Sequence, residues 1–89
     1  MNAAQLSQEE ALRALVDHKI LERNRPPPVR SIQVIAAEGA EKTIIFVMLR
    51  DPAVAGIENL DAWEITGPLR ARKAVQAVLQ NQISKRYAQ

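Results

Sequence analysis

The stretch Thr43-Ile44-Ile45-Phe46-Val47-Met48-Leu49 decides the fold. Its β-branched and aromatic residues are those that favour a pleated strand. Successive strand side chains point to opposite faces, so Ile44, Phe46 and Met48 share one face while Ile45, Val47 and Leu49 share the other. A strand that is apolar on both faces needs cover on both. Two helices on opposite faces would supply it within one chain, and so would a second copy of the protein.

Upstream, Glu38-Gly39-Ala40-Glu41 supplies a turn, and before it Ile32, Val34 and Ala36 alternate with Ser31, Gln33 and Ile35. The spacing predicts a hairpin of strands over 30–37 and 42–50. Pro26-Pro27-Pro28 has no backbone donors and biases each preceding residue toward extended conformation, so it forms a stiff corner. The run could also dock on a proline-recognition domain, but its place between two elements favours the structural role. Ahead of it, Ser7 and Glu10 have the spacing of a capping box. Leu12, Leu15, Val16 and Ile20 then recur at helical spacing, which predicts a helix over 7–24.

Downstream, Asp51-Pro52 ends the strand and residues 53–60 read as a connecting loop. Ala62-Trp63-Glu64-Ile65 offers a short third strand over 62–66. Thr66-Gly67-Pro68 then opens a helix over 68–86, with proline in the first turn, where its missing N–H costs nothing. Its apolar stripe is Ala71, Val75, Val78, Leu79 and Ile83. The whole reads as a single small α+β domain over 1–89, in the order α-β-β-(β)-α.

At 47% apolar and 25% charged, the 89 residues lie far from the composition of disordered chains. There is no cysteine, which excludes disulfides, thiol chemistry and thiolate-bound metals. Phe46, Trp63 and Tyr87 are the only aromatic residues, too few for an aromatic platform that stacks single-stranded nucleic acid. The longest apolar run, Ile44 to Leu49, is far shorter than a membrane span, and residues 1–10 lack the features of a signal peptide. The expected setting is the cytoplasm, in a bacterium or its mobile elements.

The net charge of +2 hides an asymmetry. From Thr66 onward there are five basic residues, Arg70, Arg72, Lys73, Lys85 and Arg86, and no acidic one, whereas residues 1–65 hold seven basic and ten acidic. Arg70, Arg72 and Lys73 crowd the start of the last helix, where the helix dipole disfavours cations. With free backbone N–H groups beside them they could hold a phosphate or a carboxylate. Arg23, Arg25 and Arg30 bracket the prolines as a second cluster. Pairing with the acidic first helix, through Glu9, Glu10, Asp17 and Glu22, is the plainer use of these charges.

The element order resembles that of the double-stranded RNA-binding domain, which also places lysines at the start of its last helix. The counterpart of that family's Lys-Lys-x-Ala-Lys run is Arg70-Ala71-Arg72-Lys73, with different spacing. Its Gly-Pro-x-His turn appears only as Gly39-Ala40-Glu41-Lys42. The resemblance implies phosphate contacts from Arg70, Arg72 and Lys73, and it rests on topology more than on motif.

Chemistry is sparse. His18 is the one histidine, and it cannot form a relay with its helix neighbour Asp17, because adjacent helical side chains diverge. Gly39, Gly56 and Gly67 are isolated and make no phosphate-binding loop. The residues therefore point to no catalytic group, metal, cofactor or small-molecule substrate. Two readings stand. One is a non-catalytic interaction or assembly module, a homodimer or a binder of a protein partner, with Ile45, Val47, Leu49 and Trp63 at the interface. The other is a nucleic-acid-binding module that uses the two cationic clusters.

Overall fold

Ser7 opens the first helix as its spacing predicts. Its hydroxyl accepts from the Glu10 backbone N–H at 3.1 Å, and the Glu10 carboxylate accepts from the Ser7 N–H at 2.9 Å. This box starts α1 (Gln8–Asp17) in the computed structural model, which describes residues 3–23, 25, 27–53 and 57–88. The single helix expected over 7–24 is in fact two. His18 caps α1, Lys19 adopts a left-handed φ of 54°, and α2 (Ile20–Arg23) follows. The His18 and Lys19 N–H groups donate to the Ala14 and Val16 carbonyls, which closes the last turn of α1. Ile20, just beyond this break, is fully buried.

The remaining elements are β1 (Ala3–Gln5), β2 (Ser31–Glu38), β3 (Lys42–Arg50), β4 (Ile57–Thr66) and α3 (Leu69–Arg86). The four strands form one antiparallel sheet in the order β1-β4-β3-β2. Two features correct the sequence reading. The third strand of the predicted order, β4, has ten residues, so 57–60 are strand and not loop; residues 54–56 lie outside the described region. The sequence pattern predicts no strand ahead of the first helix, yet β1 is one. It pairs Ala3, Ala4 and Gln5 with Ile65, Glu64 and Trp63. Glu58, Asn59 and Asp61 are poor strand formers, and the apolar β3 alongside overrides that preference. Of the proline corner, Asn24 and Pro26 also lie outside the described residues.

β3 is the centre of the core, with α1 and α2 covering one face and α3 the other. Ile44, Phe46 and Met48 pack with Ala11, Leu15 and Ile20 from α1 and α2, and with Ala37 and Ala62 from the flanking strands. Ile45 and Val47 pack on the other side with Ile65 of β4 and with Leu79 and Ile83 of α3. At roughly 2 kcal/mol for each fully buried large aliphatic or aromatic side chain, this strand contributes more apolar burial than any other element. Both helices turn their apolar stripes differently from the prediction. α1 buries Ala11 and Leu15 and leaves Leu12 and Val16 exposed; α3 buries Arg72, Leu79 and Ile83 and leaves Ala71 and Val78 exposed. A bulge between Val47 and Met48 faces Val47 with Asp61 and Met48 with Asn59, so Leu60 is the extra residue and joins the core under α3. Gly67, at φ 118°, makes the turn from β4 into α3 that a larger residue would strain. Among the described residues, no helix is long and apolar enough to cross a membrane.

Candidate interaction surface

The three cations at the start of α3 have three different fates. Arg72 is 2% exposed and points inward. Its Nη1 donates to the Gly39 carbonyl at 2.8 Å and to Thr43 Oγ1 at 2.9 Å, and its Nη2 donates to the Ala40 carbonyl at 3.0 Å. The guanidinium thus closes the β2–β3 turn from below and is unavailable to a surface ligand, which corrects its assignment as a contact residue. Lys73 Nζ lies 2.6 Å from Glu38 Oε2, at the end of β2. The hydrogen bond from Lys73 holds the Glu38 carboxyl below the usual range; desolvation opposes this, and the charges of Lys73 and Arg72 reinforce it. Arg70 is exposed and has no ion-pair partner among the described residues.

Arg23, Arg25 and Arg30 are exposed as expected, and Arg30 Nε stands 3.9 Å from Asp51. The two clusters are not brought together. Arg30 precedes the first residue of β2 whereas Lys73 meets its last, and an eight-residue strand spans roughly 25 Å.

The residues expected at a self-association surface are also redistributed. Ile45 and Val47 are fully buried beneath α3 and offer nothing to a second chain. Leu49 and Trp63 are half-buried, and Trp63 packs against the cluster under α3. Near Trp63, Asp61 ties both ends of the chain to the sheet. It accepts from Gln5 Nε2 of β1, from the Tyr87 hydroxyl at 2.9 Å and from Arg86 Nη1 at 3.3 Å. Desolvation, then the bond to Asp61, raises the Tyr87 hydroxyl above the usual phenol range. On the opposite face, His18 lines a shallow cleft with Glu10, Arg13, Asp17, Lys42 and Glu64. Glu10 is committed to capping, and no group of three potential metal ligands occurs among the described residues.

What sequence reasoning missed is the outer edge of β2. β2 closes the sheet on one side, so one row of its backbone groups has no strand beside it among the described residues. The Gly39 N–H donates to the Lys42 carbonyl at 2.8 Å, which fixes the phase of the β2–β3 ladder. In that phase Ser31, Gln33, Ile35 and Ala37 bond to β3, while Ile32, Val34, Ala36 and Glu38 turn their N–H and C=O groups outward. The same four side chains lie on the α3 face, where α3 packs over β3 and β4 and leaves the edge open. Val34 is 40% exposed and, with Ile32, Ile83, Ser84 and Tyr87, lines an open groove between the edge and α3. From Ser31 to Ala37 the edge carries no charge, proline or bulge. The alternation at 31–36 was the available signal; that this strand would be an edge depended on the pairing order. No family model, no characterised protein and no solved structure matches this chain.

Proposed function

We propose that this chain is a non-catalytic interaction module whose recognition element is the outer edge of β2, which takes up a strand from a binding partner. The observation that carries this reading is the unguarded edge. Exposed edges are ordinarily blunted with lysine, proline, a bulge or extreme shortness, because unpaired backbone groups template association. β1, at the other edge, is only three residues long. β2 has eight and none of these guards between Ser31 and Ala37. Strand addition gives affinity through main-chain bonds and selectivity through alternate side chains, here Ile32, Val34 and Ala36 beside the groove.

The test is a screen of extended nine-residue peptides with alternating apolar residues, read by amide protection in NMR. The reading predicts protection of the Ile32, Val34 and Ala36 amides and loss of binding in Val34→Pro, which removes an outward N–H and no bond to β3. Peptides that bind Val34→Pro as well as the wild type, or that protect amides only on α1 or α3, would overturn it. So would finding that nothing, a second copy of the chain included, protects these amides.

A further inference from the structure

We infer that the strand taken up by the β2 edge is β2 of a second copy of this chain, joined about a two-fold axis through Val34. This rests on the edge-recognition reading above and names its partner. Three observations select it. The first is hydrogen-bond phase. Outward-facing residues must pair with outward-facing residues, so a two-fold antiparallel pair can set Ile32, Val34, Ala36 and Glu38 only against one another or against Arg30. A register shifted by one residue would aim β2 groups already bonded to β3 at the partner.

The second is charge. With Val34 opposite Val34 of the other copy, Ile32 faces Ala36 and Arg30 faces Glu38, at both ends of the ladder. Directly opposed residues share a face, so two ion pairs flank an apolar stripe. Arg30 is exposed, its contact with Asp51 is long at 3.9 Å, and Glu38 keeps an exposed side beside Lys73. Shifting by two residues either way removes Arg30 from Glu38. The third is cover. The half-exposed Val34 and the groove beside Ile83 and Tyr87 lie on the face where the two stripes meet. The product is an eight-stranded sheet with a closed, self-complementary interface.

Because the chain has no cysteine, a single introduced thiol reports the register. Opposed residues in a hydrogen-bonded antiparallel pair have Cα atoms about 5.5 Å apart, within disulfide reach. Val34→Cys should therefore form a disulfide-linked dimer under mild oxidation. Ile32→Cys, about 13 Å from its symmetry mate in this register, should link at least tenfold more slowly. Sedimentation should give the wild type a mass of twice 9.9 kDa. Arg30→Glu and Glu38→Arg should each weaken the dimer at least tenfold, and mixing the two variants should restore it as a heterodimer. Both substitutions are at exposed positions, so circular dichroism should show both folded.

Equal cross-linking of Ile32→Cys and Val34→Cys, or no recovery on mixing, would overturn this register. A wild type that remains monomeric at millimolar concentration yet binds peptides through the Val34 edge would overturn the second copy and leave edge recognition standing. A dimer insensitive to Val34→Pro and abolished by Val16→Lys would place the interface on α1 and overturn both.

Discussion

Arg72 Nη1 donates to Thr43 Oγ1 at 2.9 Å and to the Gly39 carbonyl at 2.8 Å, so the second residue pair of the β2–β3 hairpin is held from inside by the first turn of α3. All three acceptors of this buried guanidinium are neutral, and its Nε has no partner among the described residues. Hydrogen bonds from a charged donor contribute about 1.5–3 kcal/mol each where removal leaves the partner unsatisfied. We expect Arg72→Ala to cost about 2–4 kcal/mol in urea unfolding, and Thr43→Val about 1 kcal/mol. Arg72→Lys loses the planar fork but keeps the charge, and should fall between wild type and alanine. A lysine variant as stable as the wild type would show that the fork geometry is irrelevant. Lys73→Ala, which removes an exposed ion pair only, should leave the midpoint almost unchanged.

Stability should decline at both ends of the pH scale, for different groups. Tyr87 has its folded pKa raised, first by burial and then by its bond to Asp61. Its contribution is therefore complete below the unfolded phenol value of about 10 and is lost as pH rises through the folded value. Glu10 and Glu38 have folded values lowered, Glu10 chiefly by the Ser7 backbone N–H and Glu38 chiefly by Lys73. Theirs is complete above the unfolded carboxylate value and fades as pH falls through the folded ones. Unfolding curves for Tyr87→Phe should converge with the wild type at alkaline pH and diverge from it near neutrality. Parallel curves over the whole range would mean that the hydroxyl makes no differential contact.

The double apolarity of 43–49 made the central strand readable from sequence, and with it the hairpin and the need for two covers. What supplied the covers was not readable, because helices and a second chain satisfy the same pattern. The phases of α1 and α3 were misread for a related reason. Leu12 and Val16 score as core by hydropathy, yet the small Ala11 allows closer approach to Ile44 and Phe46 and takes their place. Arg72 scores as surface, but the Gly39 and Ala40 carbonyls accept from its two Nη groups inside. The apolar alternation of β2 is visible in the sequence, whereas its position at the edge depends on the apolar β3 pairing with β4, a strand rich in polar residues.

Lys19 makes the break between α1 and α2 in a left-handed conformation that costs a non-glycine residue roughly 1 kcal/mol. Glycine takes that conformation without steric penalty and is the usual residue after a helix C-cap. Lys19→Gly should therefore stabilise the chain by up to about 1 kcal/mol, and Lys19→Val should destabilise it by at least as much. Thermal unfolding of the two variants checks this. A glycine variant less stable than the wild type would mean that the lysine side chain contributes more than its backbone costs.

Phosphate binding makes a separate prediction through its salt dependence. Each phosphate neutralised releases counterions and steepens the fall of affinity with salt, by close to one unit of log–log slope. Of the cations at the start of α3, Arg72 is buried and Lys73 is held by Glu38, which leaves Arg70 unpaired among the described residues. Arg30, in the other cluster, stands a strand's length away. A duplex RNA of about 20 base pairs should then give a salt slope no steeper than about −1, and Arg70→Glu should flatten it further. Gel-shift titrations from about 50 to 200 mM salt measure it. A slope of about −3 or steeper, abolished by Arg70→Glu with Lys73→Glu, would mean that Lys73 exchanges Glu38 for phosphate, and the start of α3 would then be a nucleic-acid surface.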